Sequence, residues 1–405
     1  MIKDAEDKYS SDLQQMSYFS WIPTDQDRLN LAEKQLLDRI PGRKETFFIQ
    51  NDDEKYSIRT VVFRNYSSDD TAKEKKIPIF LIHGFAAGSA IWCKNAGPLS
   101  CDRPVYSIDL LGFGRSTRKE FPKDPKEIED YFVNSIEFVL KSLKLEKVIL
   151  IGQSFGGYLA GAYALKHDER IEHLVLVDPW GYPENANKGN ISRKARFFYN
   201  LPSPLTLLRY SGRMGPYFLK NIRQDFAQTF TPEDNFSDQL SRKPVLDPGY
   251  LADETDETDV DSTKSTKVKR SKTTNNEENF EGKTDWSTEF IYDYIYHINV
   301  RPATGEAAFY GLSEQTFYAA IPMVPRLKDL NAKLPITFIY GGRSWIDKAS
   351  GFKVKGSRDQ SYVDVKIIQT GGHHAFAQCS SEFNEMILEI TKKIDENFDF
   401  SPKNL

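Results

Sequence analysis

Apolar residues in this chain fall into short runs separated by longer amphipathic stretches. Val148–Ile151 is four apolar residues in a row, the pattern of a strand buried on both faces of a parallel sheet. Comparable runs begin at Ile77, Val105, Ile171, Leu334 and Tyr362. Between them, Asp124–Leu143 sets Phe132, Ile136, Val139 and Leu140 on one helical face, and Ser381–Asp395 predicts a final helix. Upstream, Glu45–Asn65 alternates like a hairpin, with Phe47, Ile49, Ile58, Thr60 and Val62 as inward positions. Strands alternating with helices predict an α/β class: a mainly parallel central sheet covered by helices.

The alternation is interrupted twice. Residues 1–44 read as a polar tail followed by an amphipathic helix capped by Thr24 or Asp25, with Leu29, Leu31, Leu36 and Leu37 in it. Tyr18, Phe19, Trp21 and Ile22 just before that helix form an aromatic cluster suited to a lipid interface or to packing on the body of the protein. Residues 184–325 drop the strand pattern for apolar and aromatic helical material, which predicts a helical lid inserted into the core. Within it, Leu251–Lys283 is rich in Asp, Glu, Thr, Ser and Lys and has no aromatic until Phe280, the composition of a disordered insert. The core is thus expected in two parts, 45–183 and 326–405.

Candidate chemistry sits at the ends of the runs. Gly152-Gln153-Ser154-Phe155-Gly156 matches G-x-S-x-G between a strand and a helix of small residues, the setting of a nucleophile elbow. The run from Ile77 ends in His83-Gly84, and the small-residue loop Gly84–Gly88 follows. In such an arrangement the backbone N–H groups of Phe85 and Phe155 form the oxyanion hole. Asp109-x-x-Gly-x-Gly-x-Ser116 follows the next strand. Two aspartates at strand ends, Asp178 and Asp347, qualify as the acid of a triad. His373 follows Gly371-Gly372 after the last strand, with His374 as the alternative. The order Ser154, Asp347, His373 fits a serine nucleophile activated by an imidazole that a carboxylate orients.

Composition narrows the setting. The chain has 405 residues, is 39% hydrophobic and 13% aromatic, and carries 54 Lys and Arg against 58 Asp and Glu, a net charge of −4. That near-balance gives no reason to expect nucleic acid. Cys93, Cys101 and Cys379 cannot all pair and match no metal-ligand spacing, so neither cofactor nor metal is expected, and a reducing cytoplasmic setting fits. No apolar run of about 18 residues and no secretory signal are seen, so membrane contact is expected to be peripheral.

Several stretches together carry a resemblance: His83–Gly88, G-Q-S-F-G-G-Y-L-A, D-P-W-G-Y-P from Asp178, I-Y-G-G-R-S-W-I-D ending at Asp347, and G-G-H-H-A-F-A-Q ending at Gln378. They resemble the α/β-hydrolase superfamily, and within it the subfamily of abhydrolase domain-containing proteins four and five. The resemblance spans roughly Phe47–Asn397 without the insert. It implies an α/β-hydrolase fold and lipid substrates: lysophospholipids and N-acyl phospholipids for member four. For member five, whose nucleophile is replaced by Asn, it implies co-activation of a triglyceride lipase at lipid droplets, with lysophosphatidic acid acyltransferase activity also assigned. Ser154 follows member four. Asp347 fits that subfamily's triad acid, which ranks it above Asp178. Arg343 and Gly372 match positions linked to lipase co-activation, Arg343 as a forked donor and Gly372 as room for close backbone approach. The acyltransferase motif H-x-x-x-x-D would need Asp at 378, where this chain has Gln378. The resulting expectation is a lipid-ester serine hydrolase, cytoplasmic or on a lipid droplet or membrane surface, with co-activation of a triglyceride lipase as the main alternative.

Overall fold

The computed structural model describes residues 24–185, 203–229, 289–314 and 317–404. The tail, the Tyr18–Ile22 cluster and the Leu251–Lys283 stretch lie outside the described residues. One eight-stranded sheet, in the order β1-β2-β4-β3-β5-β6-β7-β8, organises the rest. Strands β1 (Arg43–Asn51) and β2 (Tyr56–Arg64) pair antiparallel as the expected hairpin, and β2 pairs antiparallel with β4 (Val105–Ile108). From there inward the sheet is parallel: β3 (Ile79–Ile82), β5 (Val148–Gln153), β6 (Ile171–Val177), β7 (Ile336–Gly341) and β8 (Val363–Ile368).

The central strands are apolar on both faces because both faces are covered. Every residue of β3, β4 and β5 is buried. Helix α2 (Pro125–Ser142) begins at Asp124, whose carboxylate accepts the Lys126 and Glu127 amides. It buries Phe132, Ile136, Val139 and Leu140 against one face, as the sequence periodicity predicts. The other face holds Trp92, Leu99, Ile149 and Ile151 together with Phe383, Ile387 and Ile390 of the last helix.

The N-terminal helix α1 (Gln26–Leu37) is capped by Asp25, which accepts the Arg28 amide at 2.8 Å. It is tied to the sheet by a buried charge cluster: Glu33 receives Arg59 from β2 at 2.8 Å and Arg115 from the loop after β4. Burial alone would raise the Glu33 carboxyl, but the two guanidinium groups outweigh it and hold its pKa below the ordinary value. Removing one partner of such a cluster typically costs about 3–5 kcal/mol, because a buried charge is left uncompensated.

Between β6 and β7 the described residues form helices α4 (Pro204–Tyr210), α5 (Gly215–Ile222), α6 (Gln224–Thr229), α7 (Glu289–Asn299) and α8 (Thr304–Gly311), after α3 (Phe155–His167), which follows β5. Tyr294 and Tyr296 of α7 are completely buried. Helix α9 (Ala349–Ser357) follows β7, and α10 (Ser380–Asp395) is the last helix. Among the described residues no helix is long and apolar enough to cross a membrane.

Candidate active site

Ser154 stands between β5 and α3 with φ of 53° and ψ of −118°, a conformation that L-residues other than glycine and asparagine rarely adopt. The strain is held by crowding around it. A Cβ at Gly152 would lie 2.3 Å from the Gly156 oxygen, and one at Gly156 would lie 2.5 Å from the oxygens of Ile82 and His83. The Ser154 carbonyl accepts the amides of Gly157, Tyr158 and Trp180. The turn therefore aims the serine side chain out of the strand end, as an elbow requires.

Ser154 Oγ lies 2.9 Å from His373 Nε2, within hydrogen-bond reach of a base that can take its proton. The His373 loop is fixed from several sides. Gln153 Nε2 donates to the His373 carbonyl at 3.1 Å, and Gln378 Oε1 accepts the Gly372 amide at 2.6 Å. Trp345, from the loop after β7, packs over the imidazole with ring centres 5.2 Å apart. His374 turns the other way, against Phe226 and Phe376.

The carboxylate that faces the other side of the imidazole is Asp178. Its Oδ2 is 3.9 Å from His373 Nδ1, and its side chain is completely buried. That distance is an ion-pair distance and longer than a hydrogen bond; catalytic pairs commonly sit this loosely and tighten as the reaction proceeds. Asp178 occupies the end of β6 with φ of 40°. Its amide donates to Ile339 and its carboxylate accepts the Gly341 amide, so β7 holds it in place.

Asp347 departs from the expectation that it orients His373. Its carboxylate is exposed and turned to its own chain, accepting the Ala349 amide at 2.9 Å and facing Ser350 Oγ at 3.4 Å. It therefore steadies the first turn of α9, and it makes no ion pair or hydrogen bond with His373. Gly341 ends β7 against Asp178, whereas Asp347 lies beyond that loop, where its carboxylate accepts the Ala349 amide at the start of α9.

The loop after β3 passes directly beside the serine: a Cβ at Gly84 would lie 3.1 Å from Ser154 Cβ. His83 shapes that loop. Its Nε2 receives the Leu110 amide at 2.9 Å, so Nε2 is the acceptor nitrogen and Nδ1 carries the proton donated to the Gly84 carbonyl at 2.7 Å. Burial lowers the His83 pKa and keeps the ring neutral. Asp109 pins the adjacent turn, its two oxygens accepting the amides of Ser89 and Arg115 at 2.6 and 2.7 Å. Phe155, the first residue of α3, brings an amide of the helix's first turn next to Ser154, where intrahelical acceptors are lacking. Phe85, Phe155 and Trp180 all pack on Phe309 of α8, with ring centres 4.4, 5.1 and 4.6 Å apart, forming an apolar wall beside the loop.

Arg343 is exposed, and its amide donates to the Gly371 carbonyl at 2.9 Å. A Cβ at Gly372 would have the Gln378 side chain as its nearest neighbour, at 3.1 Å. The close backbone approach is at Gly341, whose Cβ would lie 2.2 Å from the Gly372 oxygen. Among the described residues no group of three His, Cys, Asp or Glu side chains could hold a metal ion.

Sequence reasoning missed the part played by Gln153, Gln378 and Trp345. Gln153 stands at a variable position of G-x-S-x-G, where spacing carries no message, and Gln378 reads in the sequence only as the missing carboxylate of H-x-x-x-x-D, not as the acceptor of the Gly372 amide. Asp178 did have a signal: in open α/β sheets the reactive groups gather at the carboxyl ends of the strands, next to one another in sheet order.

A family model for the alpha/beta hydrolase fold matches residues 77–378. The chain belongs to the alpha/beta hydrolase family. Within that family it is similar to 1-acylglycerol-3-phosphate O-acyltransferase ABHD5 of Rattus norvegicus, 33% identical over 381 residues that cover 92% of this chain and 91% of the relative. It is also similar to the (lyso)-N-acylphosphatidylethanolamine lipase of Homo sapiens, 33% identical over 327 residues, 79% of this chain and 80% of the relative. Among solved structures, a lipase from Acinetobacter baumannii described as putative aligns with a TM-score of 0.57 at 15% identity, covering 91% of this chain and 97% of that one. At that identity the likeness is one of fold. This alpha/beta hydrolase is thus related to proteins of lipid metabolism and has the mostly parallel sheet that its sequence predicts.

Proposed function

We propose that this alpha/beta hydrolase is a serine hydrolase of lipid esters, acting on lysophospholipids or N-acyl phospholipids. The observation that carries the reading is the 2.9 Å approach of Ser154 Oγ to His373 Nε2 on a strained elbow. His373 takes the hydroxyl proton as Ser154 Oγ attacks the acyl carbonyl. The tetrahedral oxyanion receives the N–H groups of Phe85 and Phe155. The imidazolium, now protonated on both nitrogens, faces the buried Asp178 carboxylate, which makes Asp178 the proposed acid of the triad. His373 then hands the proton to the leaving alcohol oxygen, the ester C–O bond breaks, and an acyl group stays on Ser154. Water repeats the sequence in reverse and frees the fatty acid. The Phe85–Phe309–Trp180 wall suits an acyl chain. The lipase relative and the acyltransferase relative both support a lipid substrate.

Acyl transfer to lysophosphatidic acid has weaker support, because Gln378 holds the Gly372 amide at the place where the motif requires a carboxylate. Co-activation of a triglyceride lipase remains as a second reading, favoured by the exposed guanidinium of Arg343 next to the exposed ring of Trp345. One experiment separates these readings. Purified protein and its Ser154→Ala variant are given a panel of lysophospholipids and N-acyl phospholipids, and both are tested for stimulation of a triglyceride lipase. The hydrolase reading predicts fatty-acid release that falls by about six orders of magnitude in the variant. Stimulation that survives Ser154→Ala without any intrinsic hydrolysis would favour co-activation instead.

A further inference from the structure

Helices α4 and α5, with the short turn Gly212–Met214 between them, have an inner face and an outer face of the wrong polarity for a helix facing water. The inner face is conventional. Leu208 and Leu219 are 2% and 6% exposed. Gly215 lies so close to α7 that a Cβ would stand 2.1 Å from the Tyr296 ring, and Tyr296 donates its hydroxyl to the Gly212 carbonyl at 3.0 Å. A surface helix normally turns polar residues outward. Here the outward positions are Leu207, Tyr210, Met214 and Tyr217, which are 46%, 75%, 61% and 66% exposed. With Ile222 they make five of the nine exposed large apolar side chains among the described residues, all within residues 207–222, and such a concentration marks an interaction surface.

The charges around these residues identify the occupant. Residues 203–223 contain four cations and no Asp or Glu, in a chain whose net charge is −4; Arg209 is turned inward onto Glu306 of α8, and Arg223 lies over the Phe226 ring. Arg213 and Lys220 are exposed among the aromatic side chains. Tyrosine rings with a polar tip, a thioether and long cationic side chains fit the boundary between headgroups and acyl chains, and cations near an anionic lipid surface add electrostatic attraction.

The same segment continues into the candidate active site. Helix α6 follows directly, and its Phe226 packs against His374 with ring centres 5.7 Å apart, while His374 packs against His373 at 5.3 Å. We propose that the outer face of α4 and α5 docks this protein on an anionic phospholipid surface, with the His373 loop brought beside the lipid. The docking itself requires no chemistry at Ser154; only its use in delivering substrate rests on the hydrolase reading.

The test uses the full chain carrying Ser154→Ala, so that binding is read without turnover. It is sedimented with phosphatidylcholine vesicles, with and without phosphatidylglycerol. Two further variants are made on it, Tyr210→Ser with Tyr217→Ser, and Arg213→Glu with Lys220→Glu. All four residues lie on the exposed outer face, and the melting temperature of each variant is measured so that lost docking is told apart from lost folding. The parent should partition onto the anionic vesicles at least tenfold more than onto the neutral ones. The tyrosine variant should bind at least tenfold more weakly, and the charge reversal should erase the preference for phosphatidylglycerol. With Ser154 present, both variants should hydrolyse a water-soluble short-chain ester like the parent, so a failure of docking and a failure of the hydrolase reading are told apart. Unchanged vesicle binding by both variants would overturn the proposal. So would binding that disappears only when Met1–Pro23 is deleted, a preference for neutral vesicles, or a patch-dependent dimer without vesicle binding.

Discussion

The loops after β6 and β7 leave neighbouring strands at the same edge of the sheet, and each carries an aspartate between Ser154 and His373 in chain order. Their environments are opposite. Asp178 is buried, held by backbone amides of β7, and faces the imidazole. Asp347 is exposed and accepts the amide of Ala349 in the first turn of α9. A carboxylate that faces a histidine across a dry contact stabilises the imidazolium strongly, whereas one in water is screened and contributes little. Position in the fold, not order in the chain, therefore puts Asp178 beside His373 and Asp347 in the first turn of α9.

The largest effect that can break this comparison is Asp178→Asn. Losing the charge that faces His373 should lower kcat by about four orders of magnitude, because the imidazole loses both its orientation and its counter-charge. Steady-state hydrolysis checks it. Next is Gly341→Ala. The new methyl would meet the Gly372 oxygen and displace the His373 loop, and a shift of about 1 Å at the reacting groups can cost a hundredfold. Gly372→Ala, whose Cβ has only the flexible Gln378 end as a close neighbour, should lose far less in the same assay.

The buried histidines sharpen the comparison by pH. Burial holds His173 at a pKa of about 3 and lowers His83 as well, so both are neutral in the folded protein. In the unfolded chain a histidine titrates near 6.5. Below that pH the unfolded state takes up protons that the folded state refuses. Stability is therefore level above about pH 6.5 and falls as pH drops toward the folded pKa. His173 alone should cost about 2 kcal/mol at pH 5. Urea unfolding at pH 7 and pH 5 should show the fall, and His173→Gln should flatten it. The smallest effect is Asp347→Asn, which weakens the start of α9. It should cost no more than about 0.5 kcal/mol of stability, because an Asn side-chain oxygen still accepts the Ala349 amide, read as a small drop in melting temperature, with kcat within a few-fold of the parent.

Much of the site was legible from residue pattern. Ser154 and His373 are announced by glycines at the ends of apolar runs, and those runs are strands because both of their faces are covered. The hairpin, α2 with its Asp124 cap, and the final helix follow from alternation and period in the same way. The choice of acid was not legible. Both aspartates satisfy the chain order, and the resemblance pointed to the later one. What separates them is three-dimensional: β6 lies directly beside β5, and the Gly341 amide reaches back to Asp178. The outward aromatics of α4 and α5 were read only as apolar helical material, because helix period alone does not say which face another helix will cover.

The central claim is that His373, with Asp178 behind it, activates Ser154. The rate at which a fluorophosphonate probe labels Ser154 tests it most directly, since the probe reacts with an activated serine and needs no knowledge of the lipid substrate. Wild-type protein and Asp347→Asn should label at Ser154 at similar rates, while Asp178→Asn and Ser154→Ala should label scarcely or not at all. Labelling that survives Asp178→Asn and is lost in Asp347→Asn would contradict the account.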